Sequence, residues 1–123
     1  MTLPQTKFFT VKEANQTLPL VRKIVDDILD VGKKIRAISI EVGTHAEQDP
    51  QITKLMDQLE DLFVELEDLG CSYRDWNFTM GLVDFPAIIG GEEVLLCWRS
   101  DELSVQYYHG MEGGFAGRKL LPA

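Results

Sequence analysis

The chain has 123 residues, 45% of them hydrophobic and 26% charged, and its 20 acidic residues against 12 basic ones leave a net charge of -8. A chain of this size and composition supports a packed core without help from disulfides or metals. The acidic surplus excludes a nucleic-acid surface, which needs positive charge to displace counterions from phosphates, and it disfavours anionic membranes.

At the start, MTLPQTKFFTVKEANQ has neither the apolar stretch nor the small-residue cleavage site of a secretory signal. No run approaches the roughly 18 apolar residues of a membrane span. The expectation is a cytoplasmic protein in which Cys71 and Cys97 are reduced thiols. Each lies in an apolar-patterned stretch, which points to burial rather than reactivity.

Thr10 and Glu13 form a capping-box pattern and predict a short N-terminal helix. Thr17 then offers a second cap, with Pro19 in the following first turn, where a missing amide costs nothing. From there Val21, Ile24, Ile28, Val31, Ile35, Ile38 and Val42 recur at spacings of 3,4,3,4,3,4, an unbroken coiled-coil-like seam. Gly43 supplies a stop, and a loop through His45 follows. Asp49-Pro50 reads as an N-cap and first helical residue. A second seam, Ile52, Leu55, Leu59, Leu62, Leu66 and Leu69, ends at Gly70. Two long helices joined by a short loop are expected to lie antiparallel. That register brings Lys33, Lys34 and Arg36 toward Asp57, Glu60 and Asp61. The apolar face widens at Leu18, Leu20, Val25, Leu29, Phe63 and Val64, so a second packing partner is expected at the base of the hairpin, with the tip projecting.

After Gly70 the period changes. Cys71 to Trp76 alternates like a strand, and 81–87 reads as a partly extended connection bounded by glycine and proline. Gly90-Gly91 marks a turn. Val94 to Arg99 and Leu103 to His109 read as an antiparallel hairpin joined through Ser100-Asp101-Glu102. The glycine-rich stretch 110–118 reads as a loop. The fold expected is α+β: a long antiparallel helical hairpin, with a short N-terminal helix, packed at its base against a small antiparallel β segment. It is read as a single domain over 1–123, helical over 1–70 and β-rich over 71–123.

The stretches FTVKEAN at 9–15, LPLVR at 18–22, GLVDFPA at 81–87, LCW at 96–98, YYH at 107–109 and GFAGR at 114–118 follow one another along nearly the whole chain. Jointly they resemble the domain-of-unknown-function family numbered 2203. Tyr108 stands where that family's tryptophan is expected, and Gly110 where it often has an acidic residue. The resemblance implies a small bacterial or archaeal cytoplasmic protein of this fold and brings no activity with it.

Candidate chemistry therefore comes from the residues. His109 closes a predicted strand and opens the glycine-rich loop, with Glu112 three residues on. Imidazole and carboxylate are ligands for zinc, manganese or iron, or an acid–base pair near neutral pH. Asp84 is the candidate third ligand. Against this stands a hydrogen-bonded structural histidine, and for Asp84 a turn aspartate bonding its own backbone. Arg118 is either a binder of carboxylate or phosphate or a clamp holding the tail to the acidic body. Arg74 and Arg99 are expected to be exposed, and Trp76 and Trp98 to pack. The glycine-rich loop is not a phosphate loop, because no helix follows it and no Gly-Lys-Ser/Thr sequence is present.

Two functions are carried forward. One is an interaction or structural module that self-associates, as a homodimer or larger homo-oligomer, through its helical hairpin. The other is a small metal- or ligand-binding protein, with enzymatic activity left open, whose site gathers Asp84, His109, Glu112 and Arg118.

Overall fold

The computed structural model describes residues 7–75 and 78–122. Trp76, whose packing the sequence reading anticipated, and the first six residues lie outside them. Among the described residues the fold is α+β, with two α-helices and a five-stranded antiparallel sheet.

Helix α1 runs unbroken over Val11–Val42, with Thr10 and Glu13 closing the capping box. This corrects the expectation of a short separate N-terminal helix. Thr17 is not a cap; its hydroxyl donates to the Glu13 carbonyl at 2.8 Å. Pro19 sits inside the helix. The lost amide bond is offset because both sides of the proline contribute to one apolar stripe: Ala14, Leu18, Val21, Val25 and Ile28 are all buried. A 3-10 turn at Gly43–Gln48 leads to helix α2, Pro50–Leu69, capped by the Asp49 carboxylate on the amides of Gln51 and Ile52. Gly70 closes it in the left-handed conformation. The two helices pack on each other, and Leu59 and Leu66 join the buried cluster of α1. Lys34 pairs with Asp30 of its own helix at 3.1 Å.

Strands β1 (Ser72–Tyr73), β2 (Leu82–Ile89), β3 (Glu92–Arg99), β4 (Tyr107–Gly110) and β5 (Lys119–Leu120) form a meander in chain order. Gly90 and Gly91, at φ of 60° and 82°, make the β2–β3 turn, the doubly left-handed arrangement that matches sheet twist.

The segment 81–87, expected as a connection, is most of β2. Pro86 is tolerated because β1 pairs only with Val83 and Asp84, leaving the strand's outer side open at the proline. The Pro86 carbonyl instead accepts the Phe9 amide at 2.7 Å.

Strand β4 starts later than the expected Leu103. Side chains of α1 take the backbone groups there. Asn15 accepts the Val105 amide at 2.7 Å, and Arg22 donates to the carbonyls of Glu102 and Leu103, each at 2.7 Å. Those groups then have no need of a strand partner. The end of the glycine-rich stretch, expected as loop throughout, contains a 3-10 turn at Phe115–Gly117 that leads into β5.

Alternation along the strands gives the sheet two different faces. Val83, Phe85, Ala87, Val94, Leu96 and Trp98 belong to the cluster shared with the helices. Leu82, Asp84, Leu95, Cys97 and His109 share the opposite face by strand parity and register. The helices cover one face, and the stretch 110–118 approaches the other. Among the described residues no helix is long and apolar enough to cross a membrane.

Candidate metal centre

Asp84 on β2 and Cys97 on β3 are direct cross-strand partners. His109 on β4 pairs with Leu95, two residues from Cys97 on the same face of β3. Three adjacent strands thus bring a carboxylate, a thiol and an imidazole together. All three side chains are buried, and one ligand atom from each lies within 4.8 Å of the others. The edges of a tetrahedral site with bonds of about 2.0–2.3 Å are roughly 3.3–3.7 Å, so closure needs a shift of about an ångström.

Asp84 and His109 are each backed by an outer partner. The His109 Nδ1 lies 2.7 Å from the Gly110 carbonyl, to which it donates, and Nε2 lies 3.1 Å from Asp84 Oδ1. Arg74 Nε donates to the other Asp84 oxygen at 3.2 Å. Both ring nitrogens of His109 face acceptors, which an uncharged imidazole can satisfy at only one of them.

The Cys97 thiol is pushed up to about 11 by burial, with the Asp84 charge adding to the effect and Arg118 opposing it. It is a buried free thiol, as is Cys71. Burial by itself would lower the Arg118 guanidinium, but hydrogen bonds and charge attraction to Glu102 outweigh it and its value is raised.

The remaining residues singled out in the sequence occupy distinct places. Asp84 is a strand residue, so the turn-aspartate reading fails. It is the Asp75 carboxylate that bonds nearby backbone, accepting the amides of Thr79 and Met80 at 3.1 and 2.8 Å. Arg118 takes the clamp role. It grips Glu102 through two bonds, at 2.7 and 3.0 Å, and stacks against the rings of Tyr107 and Phe115 at 4.0 and 4.4 Å. Glu102 is held in turn by α1, because Arg22 bonds its carbonyl. The helix therefore positions the clamp that holds the glycine-rich stretch against the sheet.

Glu112 is exposed and does not join the buried triad, although it lines the same cavity. The reason is geometric: the His109 ring reaches back across the sheet to β2, while Glu112 stands in the turn beyond β4. Cys97 takes the third place. Its neighbours Val94-Leu95-Leu96-Cys97-Trp98 form one continuous apolar run, which hides strand parity. Only the pairing with Asp84 reveals the thiol's direction. Arg74 is exposed as expected, Arg99 is half-buried and paired with Asp101, and His45 is exposed.

The triad opens on a cavity of about 330 Å³ lined by Arg74, Leu82, Asp84, Leu95, Cys97, His109, Met111, Glu112, Gly114 and Phe115. That is the lower end of small-molecule pocket sizes. No curated protein and no solved structure matches the chain. A family model, that of the uncharacterized conserved proteins DUF2203, matches residues 7–121. The stretches that carry the resemblance supply the candidate donors, Asp84 in GLVDFPA, Cys97 in LCW and His109 in YYH, and with them a match over nearly the whole chain makes this protein a member of the DUF2203 family.

Proposed function

We propose that the chain is a metal-binding protein whose centre is Asp84, Cys97 and His109. The observation that carries this reading is that a buried carboxylate, thiol and imidazole converge with their ligand atoms within 4.8 Å of one another, and that Asp84 and His109 each have an outer partner. Such partners orient ligands and fix the imidazole tautomer: the Gly110 carbonyl holds the Nδ1 proton and leaves Nε2 for the ion. A thiolate, an imidazole and a carboxylate suit zinc or ferrous iron better than magnesium or calcium, and manganese less well. Glu112 is not a member of the first set of ligands in this reading.

Zinc titration of the full chain against a chromophoric chelator is expected to give one equivalent per chain. Cys97→Ala and His109→Ala should each weaken binding at least tenfold, and Cys71→Ala should leave it unchanged. Absence of zinc uptake at micromolar excess, or wild-type affinity in both site variants, would remove the reading.

A second reading, self-association through the helices, rests on a separate observation. Burial along α1 fades after Gly32, and Ile35, Ile38 and Val42 are only half-buried. Ile40, Met56 and Val64 are 78%, 52% and 46% exposed. Residues Gly32, Ile35, Met56, Leu59, Phe63 and Phe78 also line an apolar groove of about 460 Å³. Two helices of this kind commonly complete a bundle with a second copy. Sedimentation equilibrium is expected to show a dimer that Met56→Glu weakens; monomer alone at micromolar concentration overturns it. The free thiols Cys71 and Cys97 support a cytoplasmic setting for either role.

A further inference from the structure

Resting on the metal reading above, we infer that the open coordination position of this centre takes the carboxylate of a small, partly apolar acid. Three protein donors leave a tetrahedral ion one position short, the arrangement of reactive rather than purely structural sites. All three donors line the cavity of about 330 Å³, so the missing ligand comes from that space. Its volume suits a small molecule and excludes a folded partner.

Charge selects the kind of molecule. A divalent ion is balanced by the Cys97 thiolate and the Asp84 carboxylate, with His109 neutral. Arg118 is balanced by Glu102, both nearly buried behind the site. Arg74 adds a positive charge at the cavity wall, its side chain 52% exposed and its Nε on Asp84. Glu112 is the acidic group on the exposed side of the cavity. Glu112 offsets Arg74 in the overall count, but it is exposed and screened by solvent, whereas Arg74 stands beside Asp84 at the centre; a carboxylate that meets both the ion and this guanidinium is therefore favoured, because the planar fork suits it. Leu82, Leu95, Met111 and Phe115 line the rest and accept an apolar body.

The test uses the full chain saturated with cobalt(II), whose visible bands report coordination and whose near-ultraviolet thiolate band reports Cys97. Titration with butyrate is expected to shift the visible bands saturably, and butylamine and butanol are not. Arg74→Gln, read at a cobalt concentration raised until its thiolate band is saturated, should weaken the butyrate effect at least tenfold. Glu112→Gln should retain it.

A thiolate band with no response to butyrate overturns the carboxylate inference and leaves the metal centre standing. So does a butyrate response that appears only in Glu112→Gln, because Glu112 then fills the fourth position itself. Equal responses to butyrate and butanol also overturn it. No thiolate band at any cobalt concentration removes both the inference and the metal reading.

Discussion

At Asp84 a single carboxylate meets a histidine on one oxygen and an arginine on the other. Burial of this group is tolerable because both oxygens are engaged; a buried carboxylate left alone would cost several kcal/mol. The Cys71 thiol has no such network. Burial pushes it from 9.0 to about 12, with Lys7 opposing the effect weakly. A thiol in the unfolded chain ionises near that ordinary value of 9.0, whereas the folded one holds its proton. Above that pH the unfolded state binds fewer protons, so the stability Cys71 contributes is complete below it and is lost as pH rises toward its folded value. Urea unfolding of the wild type should weaken with pH through this window, and Cys71→Ala should flatten the slope by about 1.4 kcal/mol per pH unit. Parallel slopes for the two proteins would contradict this account.

Between elements, helix and sheet approach each other closely at Gly81, just before β2. A methyl group there would stand 2.2 Å from Val25 Cγ1 on α1. Val25 is fully buried and β-branched, so it cannot swing aside. Gly81 also exchanges bonds with Ser100, accepting its amide at 2.8 Å and donating to its hydroxyl at 3.1 Å, which fixes the backbone. Gly81→Ala is expected to lower stability by about 1–3 kcal/mol, the usual cost of overpacking. The double variant Gly81→Ala with Val25→Ala should lose less than the two single losses added together, because each relieves the other. Strict additivity in chemical denaturation would mean that the contact is not the cause.

At the scale of the molecule, helices and strands share one buried cluster that joins Val21, Ile28 and Leu66 to Phe85, Leu96 and Trp98. Neither part buries its apolar face without the other. Thermal or urea unfolding followed by helical ellipticity and by tryptophan fluorescence should therefore give coincident transitions, as expected of a two-state domain. A sheet signal lost well before the helical one would show two separately stable parts. The same arrangement bears on the candidate site: Arg22 on α1 holds the Glu102 backbone, Glu102 holds Arg118, and Arg118 sits between Tyr107 and Phe115. A perturbation of the long helix has a contiguous path to the cavity wall.

The helical half was legible in the linear chain because its signals are local. Caps at Thr10 and Asp49, stops at Gly43 and Gly70, and the 3,4 seam all act within a turn or two of helix. The exception was Pro19, where local chemistry suggested a break and the shared apolar stripe on both sides overrode it. Asp84 and His109 stood out by residue type, and Arg118 by its position after the glycines. Cys97 could not be placed, since a continuous apolar run carries no parity, and Glu112 was drawn in by nearness along the chain. Which side chains meet on the outer face depends on register between strands, a one-residue slip of which would turn each of them to the opposite side. That register is set by contacts distant in sequence, and so the candidate centre took shape only when the chain was folded.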